Sequence, residues 1–88
     1  MDGVEVTDND SEHRFEISVD GKVAGFAVYR TEPGAVVFTH TEIDPAFEGQ
    51  GLGSKLAAAA LRDVRERGLE IVPVCPFIAA YLKRHPHE

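Results

Sequence analysis

The first half of the chain alternates apolar and polar residues, which is the pattern of half-buried β-strands. Residues 14–19 alternate in this way, and the Asp-Gly pair that follows is a strong signal for a tight hairpin turn. Residues 23–30 form the predicted return strand. Residues 35–43 follow a Pro-Gly turn and are rich in β-branched and aromatic residues. Together with a short strand around Val4 to Val6, the pattern predicts an antiparallel meander.

The second half of the chain changes to a helical period. A helix is predicted over residues 52–67, with an apolar stripe formed by Leu56, Ala60 and Val64. Residues 69–74 resemble a strand, and Pro73 predicts an edge position because proline lacks an N–H donor. Pro76 opens a second predicted helix over residues 76–84. A strand–helix–strand crossover usually joins parallel strands, so we predict an α+β fold whose mixed sheet splays where the strand direction changes.

Length and charge restrict the classes of partner. The 88 residues predict one domain over residues 1–88, and the net charge of −6 argues against nucleic acid. We expect a cytoplasmic protein without a membrane partner, because there is no apolar run of roughly 20 residues and no signal peptide. The single cysteine, Cys75, cannot form an internal disulfide, and a reducing compartment suits it. The acidic stretch 8–12 is expected to be a solvated loop.

The most unusual local feature is the sequence Phe-Glu-Gly-Gln-Gly-Leu-Gly-Ser-Lys over residues 47–55. Its spacing fits neither the dinucleotide fingerprint nor the Walker loop. The loop nevertheless opens a helix, whose first N–H groups lack internal partners and favour an anion. Glycines at 49, 51 and 53 would let an anion reach these groups, and the alternative is a plain turn between strand and helix.

Three blocks of the chain resemble a known superfamily. "HTEI", "GQGLGSKL" and "VPVCPFIAAYLKRHP" occur in the order and spacing of the small single-domain GNAT-like N-acetyltransferases, over roughly residues 14–88. The resemblance implies a minimal GNAT-like fold and acetyl-CoA as cosubstrate. Glu48 is a departure, since the superfamily loop usually has Gln or Arg at that position. The chain is also short, without the usual N-terminal helices and last strands that build much of the acceptor site.

The resemblance also implies a set of cofactor contacts. Backbone N–H groups in the glycine loop would hold the pyrophosphate of CoA, and the preceding strand would pair with the pantetheine arm. Lys55 would contact a phosphate, although an exposed helix lysine is an equal alternative. The cofactor-binding residues expected from the resemblance are Thr41, Ile43, Gly49, Gln50, Gly51, Leu52, Gly53, Ser54 and Lys55.

Four residues are candidates for the chemistry of transfer. Cys75 neighbours the N-terminus of the last helix, where a thiolate is favoured, and the resemblance places it near the acetyl group; the alternative is a small buried apolar residue. His40 and Glu42 are candidate bases that project from one face of a strand. Tyr81 is a candidate proton donor, although its pairing with Phe77 suits a core residue.

Three functions remain open at this point. The first is an acetyl-CoA-dependent N-acetyltransferase that acts on an unidentified amine, through Cys75 or by direct attack of the amine. The second is a non-catalytic CoA-binding or acyl-sensing regulatory module, and the third is an interaction domain whose glycines only make a turn. No metal is expected, because His85 and His87 lie in a proline-broken tail without further ligands. The oligomeric state is expected to be a monomer or a weak homodimer.

Overall fold

The computed structural model describes residues 3–86 and contains a five-stranded sheet with two α-helices. The strands are β1 (Val4–Asn9), β2 (Arg14–Val19), β3 (Lys22–Glu32), β4 (Ala35–Ile43) and β5 (Glu70–Pro73). The helices are α1 (Leu52–Glu66) and α2 (Pro76–Arg84), and short 3-10 helices cover Asp10–Glu12 and Pro45–Phe47. The predicted α+β class is confirmed.

The sheet keeps the chain order, and only its last pair is parallel. Strands β1 to β4 form an antiparallel meander, and β5 pairs in parallel with β4 after the α1 crossover. The predicted hairpin turn is present, with positive φ angles of 51° at Asp20 and 84° at Gly21. The predicted bounds of β2, β4 and α2 agree with the structure, whereas β3 is longer than predicted at both ends.

One face of the sheet packs against both helices. Alternate residues of the strands join one stripe of α1 and the inner side of α2 in a single apolar cluster. The α1 stripe is the predicted one, and its members are fully buried because small alanines allow close approach to the sheet. We call the opposite side the open face; its middle carries half-buried or exposed side chains, namely Arg14, Phe26, Val28, His40 and Glu42.

The expectation of a solvated loop over residues 8–12 is wrong for Asp8 and Asn9, whereas residues 10–12 are exposed. Strand β1 continues through Asp8 and Asn9, and a 3-10 helix follows. The reason is a long-range polar cluster: the buried Tyr29 donates its hydroxyl to Asp8 at 2.5 Å, and Arg67 donates to the same carboxylate at 2.6 Å. Burial and the hydrogen bond to Asp8 raise the pKa of Tyr29, so the phenol stays protonated. The acidic residues therefore fasten β1 to the end of α1.

A second polar cluster on the sheet predicts loss of stability in acid. Glu16 accepts from Asn9 at 2.9 Å and from Arg14 at 2.8 Å, and these hydrogen bonds lower the pKa of its carboxyl. A depressed folded-state pKa contributes stability above the unfolded pKa, and this contribution is lost as the carboxylate is protonated. We expect the free energy of unfolding to fall as the pH drops below the usual glutamate pKa of 4.5. Urea unfolding across this range would measure it.

The matched controls are Glu16→Gln and Glu5→Gln. Glu16→Gln should be less stable than the wild type at neutral pH and should lose part of the acid dependence. Glu5 is exposed on β1, so Glu5→Gln should keep the wild-type profile. Equal acid slopes for Glu16→Gln and the wild type would contradict the assignment.

Candidate functional site

The glycine loop lies directly between the end of β4 and the start of α1. Asp44 ends the strand by accepting a hydrogen bond from the backbone N–H of Ala46 at 2.9 Å, which starts the 3-10 helix. Gly49 and Gly51 then adopt φ angles of 82° and 72°, in the left-handed region that favours glycine. Gly51 is the N-cap of α1, so the chain enters the helix through a residue without a side chain.

The N-terminus of α1 therefore faces outward without a protein cap. Within residues 3–86 no side chain caps it, and no acidic residue lies in its first turn. Gly51, Gln50, Ser54 and Lys55 are all exposed, whereas Leu52 is anchored in the core. The helix dipole and the uncapped N–H groups make this end of α1 suited to an anion.

Gly53 is required for close packing rather than for its backbone conformation. A Cβ atom at this position would lie 2.8 Å from Cζ of Phe77 on α2. The two residues thus bring the start of α1 against α2. Beside them is an open cavity of about 260 Å³, lined by Ile43, Phe47, Glu48, Gly49, Gly51, Leu52, Gly53, Ser54 and Phe77.

The sheet opens next to this cavity, where β5 leaves β4. Their pairing runs from Ala35 with Glu70 to Phe38 with Pro73 and then stops. The N–H of Val74 turns back to the carbonyl of Val72 at 3.2 Å, a tight turn centred on Pro73, whose fixed φ suits it. The remaining residues of β4 up to Ile43 have no β5 partner. We call this opening the fork.

A bulge in β4 decides which side chains face the fork from the core side. Thr39 is the extra residue, because the neighbours Val28 and Tyr29 of β3 pair with His40 and Phe38 respectively. The bulge turns Thr41 toward the core, where its Oγ1 lies 3.3 Å from the Sγ of Cys75. Cys75 is 3% exposed and is fixed by its N–H, which donates to the carbonyl of Phe38 at 2.8 Å.

His40 and Glu42 share one face of β4, as predicted, and the bulge at Thr39 makes this the open face. Their side chains are 58% and 60% exposed, and Nε2 of His40 lies 3.2 Å from Oε1 of Glu42. The His40 ring also lies 6.3 Å from the ring of Phe26. The structure brings the two candidate bases together, but on the side of β4 opposite to Thr41 and Cys75.

Tyr81 belongs to the apolar cluster that packs α2 against the sheet. It is 3% exposed, and its ring stacks on His85 at 4.3 Å. Within residues 3–86, no three His, Cys, Asp or Glu side chains are grouped as metal ligands, and His87 lies outside this range. None of the helices in the same range has the length and apolarity needed to cross a membrane.

The sequence reasoning missed two features of the site. The sequence predicts Phe77 only as the partner of Tyr81 on α2, although it packs against Gly53 and lines the cavity. The available sequence signal was a large aromatic residue, Phe77, in the first turn of one helix together with a glycine-rich start of the other. The side chain of Thr41 was also missed, because only its backbone was considered.

Comparisons with known proteins agree with this arrangement. Residues 14–88 match the profile of the family described as GCN5-related N-acetyl-transferase. Protein NATD1 of Xenopus tropicalis is 40% identical over 47 residues, which cover 53% of this chain and 43% of the relative. Protein NATD1 of Homo sapiens is 40% identical over a stretch of the same length, 42% of its own chain. The matched stretch is therefore less than half of these relatives.

Solved structures share the same architecture. A GCN5-like protein from Staphylococcus aureus superposes with a TM-score of 0.69 at 27% identity, covering 96% of this chain and 82% of that one. The ribosomal-protein-alanine N-acetyltransferase of Brucella melitensis has a TM-score of 0.61 at 21% identity, covering 83% and 58%, and so shows the fold alone. On the family match over residues 14–88, the chain belongs to the GCN5-related N-acetyltransferase family.

Proposed function

We propose that this protein is an acetyl-CoA-dependent N-acetyltransferase that acts on an amine. One observation carries the proposal: the uncapped, glycine-rich start of α1 lies beside the fork, where β4 no longer pairs with β5. An anion site and a free strand edge side by side match a cofactor with a pyrophosphate and an amide-bearing arm. Family membership supports the same chemistry, since these enzymes use acetyl-CoA.

The cofactor contacts of the proposal come mainly from the backbone. N–H groups of residues 50–54 would hold the pyrophosphate, and residues 41–43 of β4 would pair with the pantetheine arm in place of β5. Lys55 is exposed on the first turn of α1 and would add positive charge. Lys22, whose Nζ lies 6.0 Å from the ring of Phe47, is a second cation beside this part of the loop.

Cys75 is the proposed acetyl carrier. Its sulfur is buried at the fork beside Thr41, at the N-cap of α2, where the N-cap side chain makes no capping hydrogen bond within the described residues. The thiol would attack the thioester carbon of acetyl-CoA and release CoA thiol. The acceptor amine would then attack the acetyl-cysteine, which gives the acetylated amine and restores the Cys75 thiol. Direct attack of the amine on acetyl-CoA uses the same fork without the covalent step.

His40 and Glu42 are the proposed bases for the acceptor. An ammonium must lose a proton before it can attack a carbonyl carbon, and a nearby imidazole or carboxylate accepts it, directly or through water. Because both side chains are exposed on the open face, we propose that the amine approaches from that side. Tyr81 is left out of the proposed chemistry because its ring stacks on that of His85.

A CoA-binding module without turnover is the second candidate. The observation that favours it is the separation of the chemistry: the candidate bases lie on one face of β4, and the thiol lies on the other. Such a module would bind acetyl-CoA in the same loop and fork but would acetylate no amine.

The two candidates are separated by binding and turnover measured on the same protein. Calorimetry with acetyl-CoA tests the site, and mass spectrometry of a panel of amines tests transfer. We expect binding, an acetyl group on Cys75 and at least one acetylated amine. Absence of acetyl-CoA binding would overturn both candidates, whereas binding without any acetylated amine would leave the module.

Variants of Cys75 test the covalent route. Cys75→Ser retains a hydroxyl that can bond to Thr41, and Cys75→Ala removes the polar atom. Both should bind acetyl-CoA, and both should lose acetylation at this position and most amine acetylation. Full activity in Cys75→Ala would remove the covalent route and leave direct attack.

A further inference from the structure

The fork contains one buried polar pair whose hydrogen-bond direction has a chemical consequence. The thiol of Cys75 donates to Oγ1 of Thr41 over 3.3 Å. Cys75 is almost fully buried, and Thr41 is half-buried on the part of β4 that has lost its β5 partner. The pair therefore lies between the core and the opening of the fork.

The hydroxyl of Thr41 has capacity left for a second partner. A threonine hydroxyl carries one donor and two acceptor positions, so accepting from a thiol leaves its own O–H free to donate. Among residues 3–86, Oγ1 of Thr41 has the thiol as its one hydrogen-bond partner. A group bound in the fork would supply the second.

We propose that Thr41 relays the proton of Cys75 to the sulfur of acetyl-CoA during acetyl transfer to the protein, an inference that rests on the proposed function. A bond forms between Sγ of Cys75 and the carbonyl carbon, and the bond from that carbon to the sulfur of CoA breaks. The thiol proton passes to Oγ1 of Thr41, and the hydroxyl proton of Thr41 passes to the departing sulfur. Acetyl-cysteine and CoA thiol are formed, and no other reactant is consumed.

The relay predicts how the rate of Cys75 acetylation depends on pH. A cysteine normally attacks as the thiolate, so the rate of the attack rises with the fraction of thiol that is ionised. A relay moves the proton during the reaction, so the rate should depend only weakly on pH in mildly acidic and neutral solution. The other titratable side chains near the centre of these elements are His40 and Glu42, which lie on the open face, and Tyr81, which packs against His85. Glu70 lies at the far end of β5, and Lys83 and Arg84 lie in the last turn of α2.

The test compares Thr41→Val with Thr41→Ser. Valine keeps the shape of threonine without the hydroxyl, and serine keeps the hydroxyl. The rate of Cys75 acetylation by saturating acetyl-CoA would be followed by intact-protein mass spectrometry from about pH 6 to about pH 8, spanning the range below the ordinary thiol pKa. Acetyl-CoA affinity and melting temperature would be measured in parallel.

We expect Thr41→Val to acetylate roughly a hundredfold more slowly near the acidic end, a typical size for a lost proton-transfer group. Its rate should rise about tenfold per pH unit, because only thiolate then reacts. Wild type and Thr41→Ser should show shallow profiles, and the measured affinities set the acetyl-CoA concentration that saturates each variant. Equal profiles for Thr41→Val and wild type, or a wild type that binds acetyl-CoA without acetylating Cys75, would overturn the relay. Loss of acetyl-CoA binding in the wild type would instead overturn the proposed function.

Discussion

Replacing Ser54 by glutamate is expected to weaken acetyl-CoA binding roughly 30- to 150-fold, a loss of about 2–3 kcal/mol. Ser54 is exposed in the first turn of α1, beside the proposed position of the pyrophosphate. Two unit charges about 5 Å apart repel by about 3 kcal/mol at the effective dielectric constant of a protein surface. Calorimetry with acetyl-CoA would measure the loss.

The same substitution should leave the fold intact or slightly more stable. A carboxylate in the first turn of a helix interacts favourably with the helix dipole, by about 0.3–1 kcal/mol. Affinity and stability should therefore change in opposite directions, which distinguishes a binding defect from unfolding. Melting of the free protein gives the second measurement.

Two controls separate charge from position. Ser54→Ala removes only the hydroxyl and should keep affinity within a few fold. Thr31→Glu adds the same charge at an exposed position that pairs with Val36, at the end of β4 opposite to the glycine loop, and should bind as the wild type does. Unchanged affinity in Ser54→Glu would place the cofactor phosphates away from the start of α1.

Replacing Gly53 by valine is expected to destabilise the fold by about 1–3 kcal/mol, the usual cost of overpacking. The added Cβ would lie 2.8 Å from Cζ of Phe77, so the ring or the whole of α2 must move. Gly53 and Phe77 both line the cavity beside the fork, so acetyl-CoA affinity should fall as well. Urea unfolding and calorimetry would report the two effects.

A double-mutant cycle with Phe77→Leu tests the contact itself. Leucine lacks the far ring atoms, so the pair Gly53→Val and Phe77→Leu should be more stable than the sum of the single effects by at least about 0.5 kcal/mol. Ala80→Val, at an exposed position of α2, measures the cost of a β-branched residue in a helix. Additive effects in the cycle would show that Gly53 acts on stability without Phe77.

Local patterns predicted most of the fold because they depend on neighbours in sequence. Strand β2 was predicted with its observed bounds by alternation before an Asp-Gly turn, and α2 by Pro76 with apolar pairs four residues apart. Strand β1 was underestimated, because Asp8 is polar and is held in the strand by contacts with Tyr29 and Arg67, distant in sequence.

The candidate site likewise has features that the local sequence predicts and features that depend on contacts between distant residues. The glycine loop was predictable because its conformation is set by residues within it, and the family match supports the resemblance that located it. The face occupied by His40 was not predictable, since it depends on a bulge at Thr39 whose register is set by β3. The contact between Thr41 and Cys75 joins positions 34 residues apart, which alternation cannot pair.

Pro73 has a consequence for how the protein meets other chains. Strand β5 lies at the edge of the sheet, and exposed edges invite pairing with strands of other molecules. The turn centred on Pro73 ends this edge after four residues, and proline offers no N–H to an incoming strand. Pro73, which turns the chain away from β4 at the fork, therefore also hinders the pairing of this edge with strands of other molecules.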